Sequence, residues 1–217
     1  MIFARYTGKS DNLTRGRVYL ARPEIDDGET VGLDLLTIKD DKDQQVKIHP
    51  DDEGWEYLEE VYAVVVKDNC DEDWEAGEVV VISDAVDDGS ADPLLRVKGV
   101  GLYRGSNFVL LDRTNVYPGL VVMESYTGRW VTIRRVDECL WFMANGCEFY
   151  RSPEEFRFAV SGNDILTEPL VKCVDAAGES LTEGHLYRLI KTGSDFVVLK
   201  DDCEAEREFM ASRFKFI

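Results

Sequence analysis

The side chains best suited to chemistry in this sequence are two histidines, five cysteines and several runs of carboxylates. Acid/base or nucleophilic catalysis needs a histidine within reach of a partner. His49 precedes Pro50 in a loop and reads as structural or neutral, and His185, in a strand-like stretch, reads as a surface residue. No GxSxG, glycine-rich phosphate loop or HExxH occurs. The carboxylate runs are Asp40-Asp41-Lys42-Asp43, Asp51-Asp52-Glu53, Asp71-Glu72-Asp73 and residues 84–92. A calcium loop needs acids at alternate positions, a central glycine and a closing glutamate, and none of these runs has that spacing. They read as turns and solvated faces, Asp87-Asp88-Gly89-Ser90 among them. The residues therefore point to a non-enzymatic chain with no catalytic, cofactor-binding or metal residues. Cys70, Cys139, Cys147, Cys173 and Cys203 form an odd set without a CxxC pair, which suits free thiols in a reducing compartment. Arg129-Trp130 and Arg134-Arg135 make the one basic patch of note, and nucleic-acid binding by small barrels needs such a patch beside stacking aromatics.

The elements that position these residues are short strands. Phe3-Ala4-Arg5-Tyr6 alternates, Thr7 to Asn12 is turn chemistry, and Val18-Tyr19-Leu20-Ala21 is strand-like. Two stretches share one pattern: Leu13-Thr14-Arg15-Gly16-Arg17-Val18-Tyr19 and Leu181-Thr182-Glu183-Gly184-His185-Leu186-Tyr187. Each precedes a strand, then Lys39-Asp40-Asp41 or Lys200-Asp201-Asp202, then another strand. Leu13 to Asp40 spans 27 residues and Leu181 to Asp201 spans 20, the longer first interval holding an acidic insertion between Pro23 and Gly32. Glycine suits a sharp turn into a strand. The leucine is expected to plug a barrel end. The tyrosine is expected to cover the core with its hydroxyl in water, and Lys-Asp-Asp to form a hairpin turn.

Two weaker copies lie between. Glu75-Ala76-Gly77-Glu78 followed by Val79 to Ile82 resembles the glycine turn and its strand, and Phe156-Arg157-Phe158 echoes Phe214-Lys215-Phe216. The expected fold class is all-β with short helices: tandem small β-barrel modules over 1–66, 67–116, 117–162 and 163–217. Residues 51–60 and 152–156 are the helix candidates, the latter with Ser152 as N-cap and Pro153 at the first position.

Charge sets the expected partner. The 217 residues carry 43 acids and 25 bases, a formal net of −18. Residues 1–115 hold 26 acids against 13 bases, net −13, and residues 116–217 hold 17 against 12, net −5. Such a surface repels phosphate backbones and attracts basic proteins. Direct nucleic-acid contact is thus disfavoured. The expected partner-binding residues are Glu24, Asp26, Asp27, Glu29, Asp51, Asp52, Glu53, Asp71, Glu72, Asp73, Asp87 and Asp88. No apolar run reaches the ~20 residues of a membrane helix, and Met1-Ile2-Phe3-Ala4-Arg5-Tyr6 lacks signal-peptide character. The expected location is the cytoplasm.

The pattern Leu-Thr-x-Gly-x-x-Tyr, Lys-Asp-Asp, Arg-Phe resembles a family of short phage-encoded proteins with an SH3-like barrel. Residues 181–187, 200–202 and Arg213-Phe214 carry the resemblance; the first copy lacks an Arg-Phe ending. It implies a small barrel and a viral or mobile-element source, and it names no activity. With the acidity, it suggests a protein that inhibits a host defence or nucleic-acid-binding protein, in its sharpest form by DNA mimicry. Alternatives are a structural or assembly module of a virus or mobile element, and a nucleic-acid-binding barrel.

Overall fold

The computed structural model describes residues 1–26, 29–30, 35–67, 74–144, 146–161, 164–166, 170–177, 180–193 and 195–216. Strands account for nearly all regular structure, as the short alternating runs predict. The first sheet is built from β1 (Ile2–Tyr6), β2 (Val18–Pro23), β5 (Leu36–Lys39), β6 (Gln45–Ile48) and β7 (Trp55–Leu58), with a two-stranded hairpin of β3 (Ile25–Asp26) and β4 (Glu29–Thr30) in the acidic insertion. The second uses β8 (Val61–Val65), β9 (Val79–Val86), β10 (Leu94–Val97), β11 (Gly101–Arg104) and β12 (Phe108–Leu110). The third uses β13 (Val121–Glu124), β14 (Arg129–Val136), β15 (Leu140–Ala144), β16 (Cys147–Arg151) and β17 (Phe156–Arg157), and a hairpin of β18 (Val160–Ser161) and β19 (Asp164–Ile165) follows it. The fourth uses β20 (Leu170–Cys173), β21 (Leu186–Thr192), β22 (Phe196–Lys200), β23 (Glu206–Met210) and β24 (Phe214–Phe216).

All four sheets have one topology. Taking the five strands of each in chain order, the spatial order is fourth, third, second, first, fifth. A meander is thus closed by a last strand that returns to the first, the arrangement of a small SH3-like barrel. A single 3₁₀ turn leads into the last strand in three modules: Gly105–Asn107, Pro153–Glu155 and Ala211–Arg213. At the second of these, where a short helix with Ser152 as N-cap was expected, Ser152 and Glu155 form a capping box on a single 3₁₀ turn.

Backbone detail repeats as well. Gly16, Gly77, Gly128 and Gly184 have φ of +90°, +93°, +65° and +82°, a region open to glycine and costly for residues with a Cβ. Each donates its N–H to the carbonyl of the last residue of its module's first strand: Tyr6 at 2.6 Å, Val65 at 2.8 Å, Glu124 at 2.9 Å and Cys173 at 2.7 Å. Six residues past that glycine the second strand breaks register at Ser83, Arg134 and Ile190. A bulge bends a strand, and here it lets one strand pair with the first strand by one half and with the third strand by the other.

Two expectations change. Residues 51–60 hold β7 and no helix, because Tyr57 and Trp55 pair with Ala4 and Tyr6 and pack against the first core. The strand β8 belongs to the second sheet, where it is hydrogen-bonded between β9 and β12. The edge drawn at 66/67 therefore falls before Val61. By contact density the chain divides into two compact units, Met1–Val64 with Val80–Asn115 and Val65–Val79 with Val116–Ile217. A core in the first unit gathers Ala4, Tyr6, Tyr19, Leu36, Ile38 and Ile48, with Leu13 packed against it. One in the second gathers Val171, Cys173, Leu181, Tyr187, Leu199 and Phe214. The expected leucine plugs and the buried Cys173 are in these cores. No helix is long and apolar enough to cross a membrane among the described residues.

Candidate functional site

The repeated polar residues converge on one spot in the first and fourth modules. In the first, the Tyr19 hydroxyl accepts from the Thr14 N–H at 2.8 Å and donates to an Asp41 carboxylate oxygen at 2.8 Å. Asp41 also accepts from the Thr14 hydroxyl at 2.6 Å and from Arg17 at 2.7 Å. In the fourth, Tyr187 accepts from Thr182 N–H at 2.7 Å and donates to Asp202 at 2.6 Å, and the Thr182 hydroxyl donates to Asp202 at 2.8 Å. The tyrosine hydroxyls were expected to stay wet. They are instead closed into this clasp, and both side chains are buried. Burial is the main reason the Tyr19 phenol is pushed up to about 12, with Asp41 adding to it. The Tyr187 phenol moves the same way for the same reasons. The partners move down: burial opposes it at Asp41, but bonds from Thr14 and Tyr19 and the Arg17 charge prevail, and bonds from Tyr187 and Thr182 do so at Asp202.

The preceding aspartate shapes the hairpin. Asp40 accepts the N–H groups of Lys42 and Gln44 at 2.9 and 2.8 Å, and Asp201 those of Cys203 and Ala205 at 2.9 and 3.0 Å. The second oxygen of Asp201 also accepts the Ser180 hydroxyl at 2.5 Å. Asn12 holds that position in the first copy, and Asp40 Oδ2 is buried with no hydrogen-bond partner among the described residues. Asp40, Asp41, Asp201 and Asp202 are thus engaged in holding the fold.

The expected partner-binding acids separate into four groups. Glu24 pairs with Lys47, Asp87 with Arg22 at 3.3 Å and Asp88 with Arg104 at 2.7 Å. Hydrogen bonds from Ser90, then Arg104, hold the Asp88 carboxyl down at about 2. Asp51, Asp52 and Glu53 are exposed on the loop between β6 and β7. Among the described residues none of the three has an ion-pair partner, and Asp52 accepts the His49 N–H at 2.8 Å. Asp26 and Glu29 are register partners in the β3–β4 hairpin. Asp27, Asp71, Glu72 and Asp73 lie outside the described residues.

His185 lies on the rim of the clasp, its ring 5.3 Å from that of Tyr187. Cys139, Cys147, Cys173 and Cys203 are free thiols. Burial, then Asp137 and Glu138, pushes the Cys139 thiol up, away from the thiolate a nucleophile needs. No group of three or more His, Cys, Asp or Glu among the described residues is placed to hold a metal.

Sequence reading missed a row on the outer face of the third sheet. The Arg135 guanidinium stacks over Trp141 at 3.9 Å, and the Trp141 ring lies 4.8 Å from that of Tyr150, which is 56% exposed. The bulge at Arg134 and cross-strand pairing of Arg135, Trp141 and Tyr150 build it. The Arg134-Arg135 pair was legible; the exposure of Tyr150 on an edge strand was not. Asp137 accepts from the Trp141 indole at 2.8 Å.

No protein-family model matches the chain, and no curated protein matches it.

Proposed function

We propose that this protein is a non-enzymatic, acidic binding protein of phage type that engages the basic surface of a host protein in the cytoplasm and inhibits it. The observation that carries this reading is the exposed run Asp51-Asp52-Glu53, free of ion-pair partners among the described residues, in a half of the chain with net charge −13. Carboxylates already paired to Lys47, Arg22 or Arg104 contribute little field to a partner. Unpaired ones on an exposed loop attract lysine and arginine over about a Debye length, ~8–10 Å at ordinary salt. DNA mimicry is the form in which such carboxylates stand where phosphates would on a nucleic-acid-binding protein.

Capture from bacterial lysate tests it, comparing the wild type with an Asp51→Asn, Asp52→Asn, Glu53→Gln variant and eluting each with a salt gradient. The expected result is a basic partner that leaves at lower salt from the variant and that DNA displaces. Retention indifferent to salt and to the variant would end the mimicry form.

The Arg135–Trp141–Tyr150 row favours a second reading, stacking of single-stranded nucleic acid. It predicts a low-salt gel shift that Trp141→Ala abolishes. The absence of any shift removes it.

A further inference from the structure

The turn that leads into the second strand is a docking point for an extended chain segment, and two modules have theirs filled by this chain. In the first unit the Gly16 carbonyl accepts the Arg113 N–H at 3.3 Å, and the Val18 N–H is bound by the Asp112 carboxylate at 3.0 Å. Val18 is consequently 7% exposed. A Cβ on Gly16 would stand 2.7 Å from Arg113 Cβ, so the approach itself requires glycine. In the second unit the Gly77 carbonyl accepts the Phe158 N–H at 2.8 Å, Glu78 bridges to Arg157, and the Arg157 guanidinium pairs with Glu75 at 2.6 Å and with Glu78. The seated segments follow one rule. One residue gives its N–H to the glycine carbonyl, and the residue before it carries a side chain chosen by the host. Glu75 and Glu78 of the host take an arginine. Thr14 and Arg17, at the same two positions, are bonded to Asp41 of their own hairpin, and the guest Asp112 is held by the Val18 N–H instead.

The fourth module repeats the host and lacks the guest. Gly184 and Leu186 stand where Gly16 and Val18 do, and among the described residues no loop or turn N–H reaches the Gly184 carbonyl and no side chain accepts from the Leu186 N–H. Leu186 is 47% exposed. The surrounding groove has a volume of about 1000 Å³, with Tyr117 and Val121 on its wall, against about 380 Å³ for its counterpart beside Val18. Thr182 and His185 stand at the two host positions, with Thr182 bonded to Asp202 of its own hairpin as Thr14 is to Asp41, so the backbone N–H of Leu186, the counterpart of the Val18 N–H that holds Asp112, is the group offered to a guest carboxylate. The Lys172 side chain, its Cε 4.0 Å from a Cβ built on Gly184, adds positive charge.

We infer that the groove along Gly184–Ile190 binds an extended segment of a partner protein in which an aspartate precedes the residue that donates its N–H to Gly184, with an apolar residue before the aspartate to cover Leu186. Residues Leu111-Asp112-Arg113 are the pattern for that guest. The site is separate from the acidic loop of the proposed function and stands or falls independently of it.

A synthetic peptide of residues 110–115, Leu-Leu-Asp-Arg-Thr-Asn, is the probe, titrated into the intact, isotope-labelled protein while backbone amide shifts are followed. Saturable shifts at Gly184 to Ile190 are expected, lost with the Asp→Ala peptide and lost in Leu186→Glu protein. Leu186 is half exposed, and the variant's unchanged spectrum elsewhere reports that the module is still folded. Shifts that survive the Asp→Ala peptide, shifts confined to residues 16–20, or no shifts at millimolar peptide would overturn the inference. A mass that rises with protein concentration and reverts in Leu186→Glu would also overturn it, assigning the groove to a second copy.

Discussion

The outer and inner modules solve one folding problem by different chemistry. Three residues past the turn glycine the outer pair has Tyr19 and Tyr187, each tied to an aspartate of the hairpin opposite. The inner pair has Val80 and Val131, both buried, and no such tie. The hairpins differ to match. Where the outer modules turn through Asp40-Asp41 and Asp201-Asp202, the second turns through Gly99 at φ +76° and the third carries Gly146 at φ +77°. A polar clasp supports a wide turn; a short glycine turn closes without one. The backbone is common to all four, and the side chains that hold it are interchangeable in kind.

The largest effect that would sharpen this comparison is at the turn glycines. A Cβ at Gly77 would lie 2.3 Å from the Phe158 carbonyl oxygen, while at Gly128 it would meet nothing within 4 Å. Gly77→Ala is expected to cost about 3 kcal/mol or more, and Gly128→Ala about 1 kcal/mol from backbone strain alone, read from urea unfolding. Equal losses would mean that the seated segment at Gly77 is not formed.

Next in size is the clasp. Tyr19→Phe and Tyr187→Phe each remove a hydroxyl that both donates and accepts, for a loss of about 1–2 kcal/mol, while Val80→Thr and Val131→Thr gain no partner and do not compensate. The pH dependence has a definite sign. The Tyr19 phenol is raised on folding, so its contribution is complete below about pH 10 and disappears as pH climbs toward about 12. The Asp41 and Asp202 carboxyls are lowered, so theirs is complete above about pH 4 and fades as pH falls. Urea midpoints of wild type and of the double Tyr→Phe variant should therefore differ most between about pH 5 and 9 and converge outside that window. A constant difference across pH would break the clasp assignment.

The smallest effect tests the one mismatch between the outer modules. Asn12→Ser places a hydroxyl where Ser180 serves Asp201, giving Asp40 Oδ2 the partner it lacks. A gain of about 0.5–1 kcal/mol is expected in the urea midpoint. A loss would show that Asn12 already supports that carboxylate.

The sequence showed the outer modules because a clasp needs particular residues at particular places, and Leu-Thr-x-Gly-x-x-Tyr with Lys-Asp-Asp is its imprint. It showed the inner ones faintly because valine in a core and glycine in a turn are common words. Even the ending of the first copy was hidden for this reason. Trp55 pairs with Tyr6 as Phe214 pairs with Cys173, and Gly54 stands where Arg213 does, so a different aromatic closes the same barrel. For the candidate site, the sequence marked the acidic runs but not their ion pairs. Asp88 and Arg104 are sixteen positions apart, and strand pairing, not spacing, brings them together. The docking turn was invisible, since its guests lie up to 97 residues away, as from Gly16 to Arg113.

If the shared motif is for folding and the differing surfaces are for binding, the two properties must separate in one sample. The double Tyr19→Phe, Tyr187→Phe protein is the sample, with its urea midpoint and its salt-resolved retention of the captured partner measured together. The expected result is a lowered midpoint with retention unchanged. An unchanged midpoint with lost retention would contradict the assignment and move the binding site onto the repeated residues themselves.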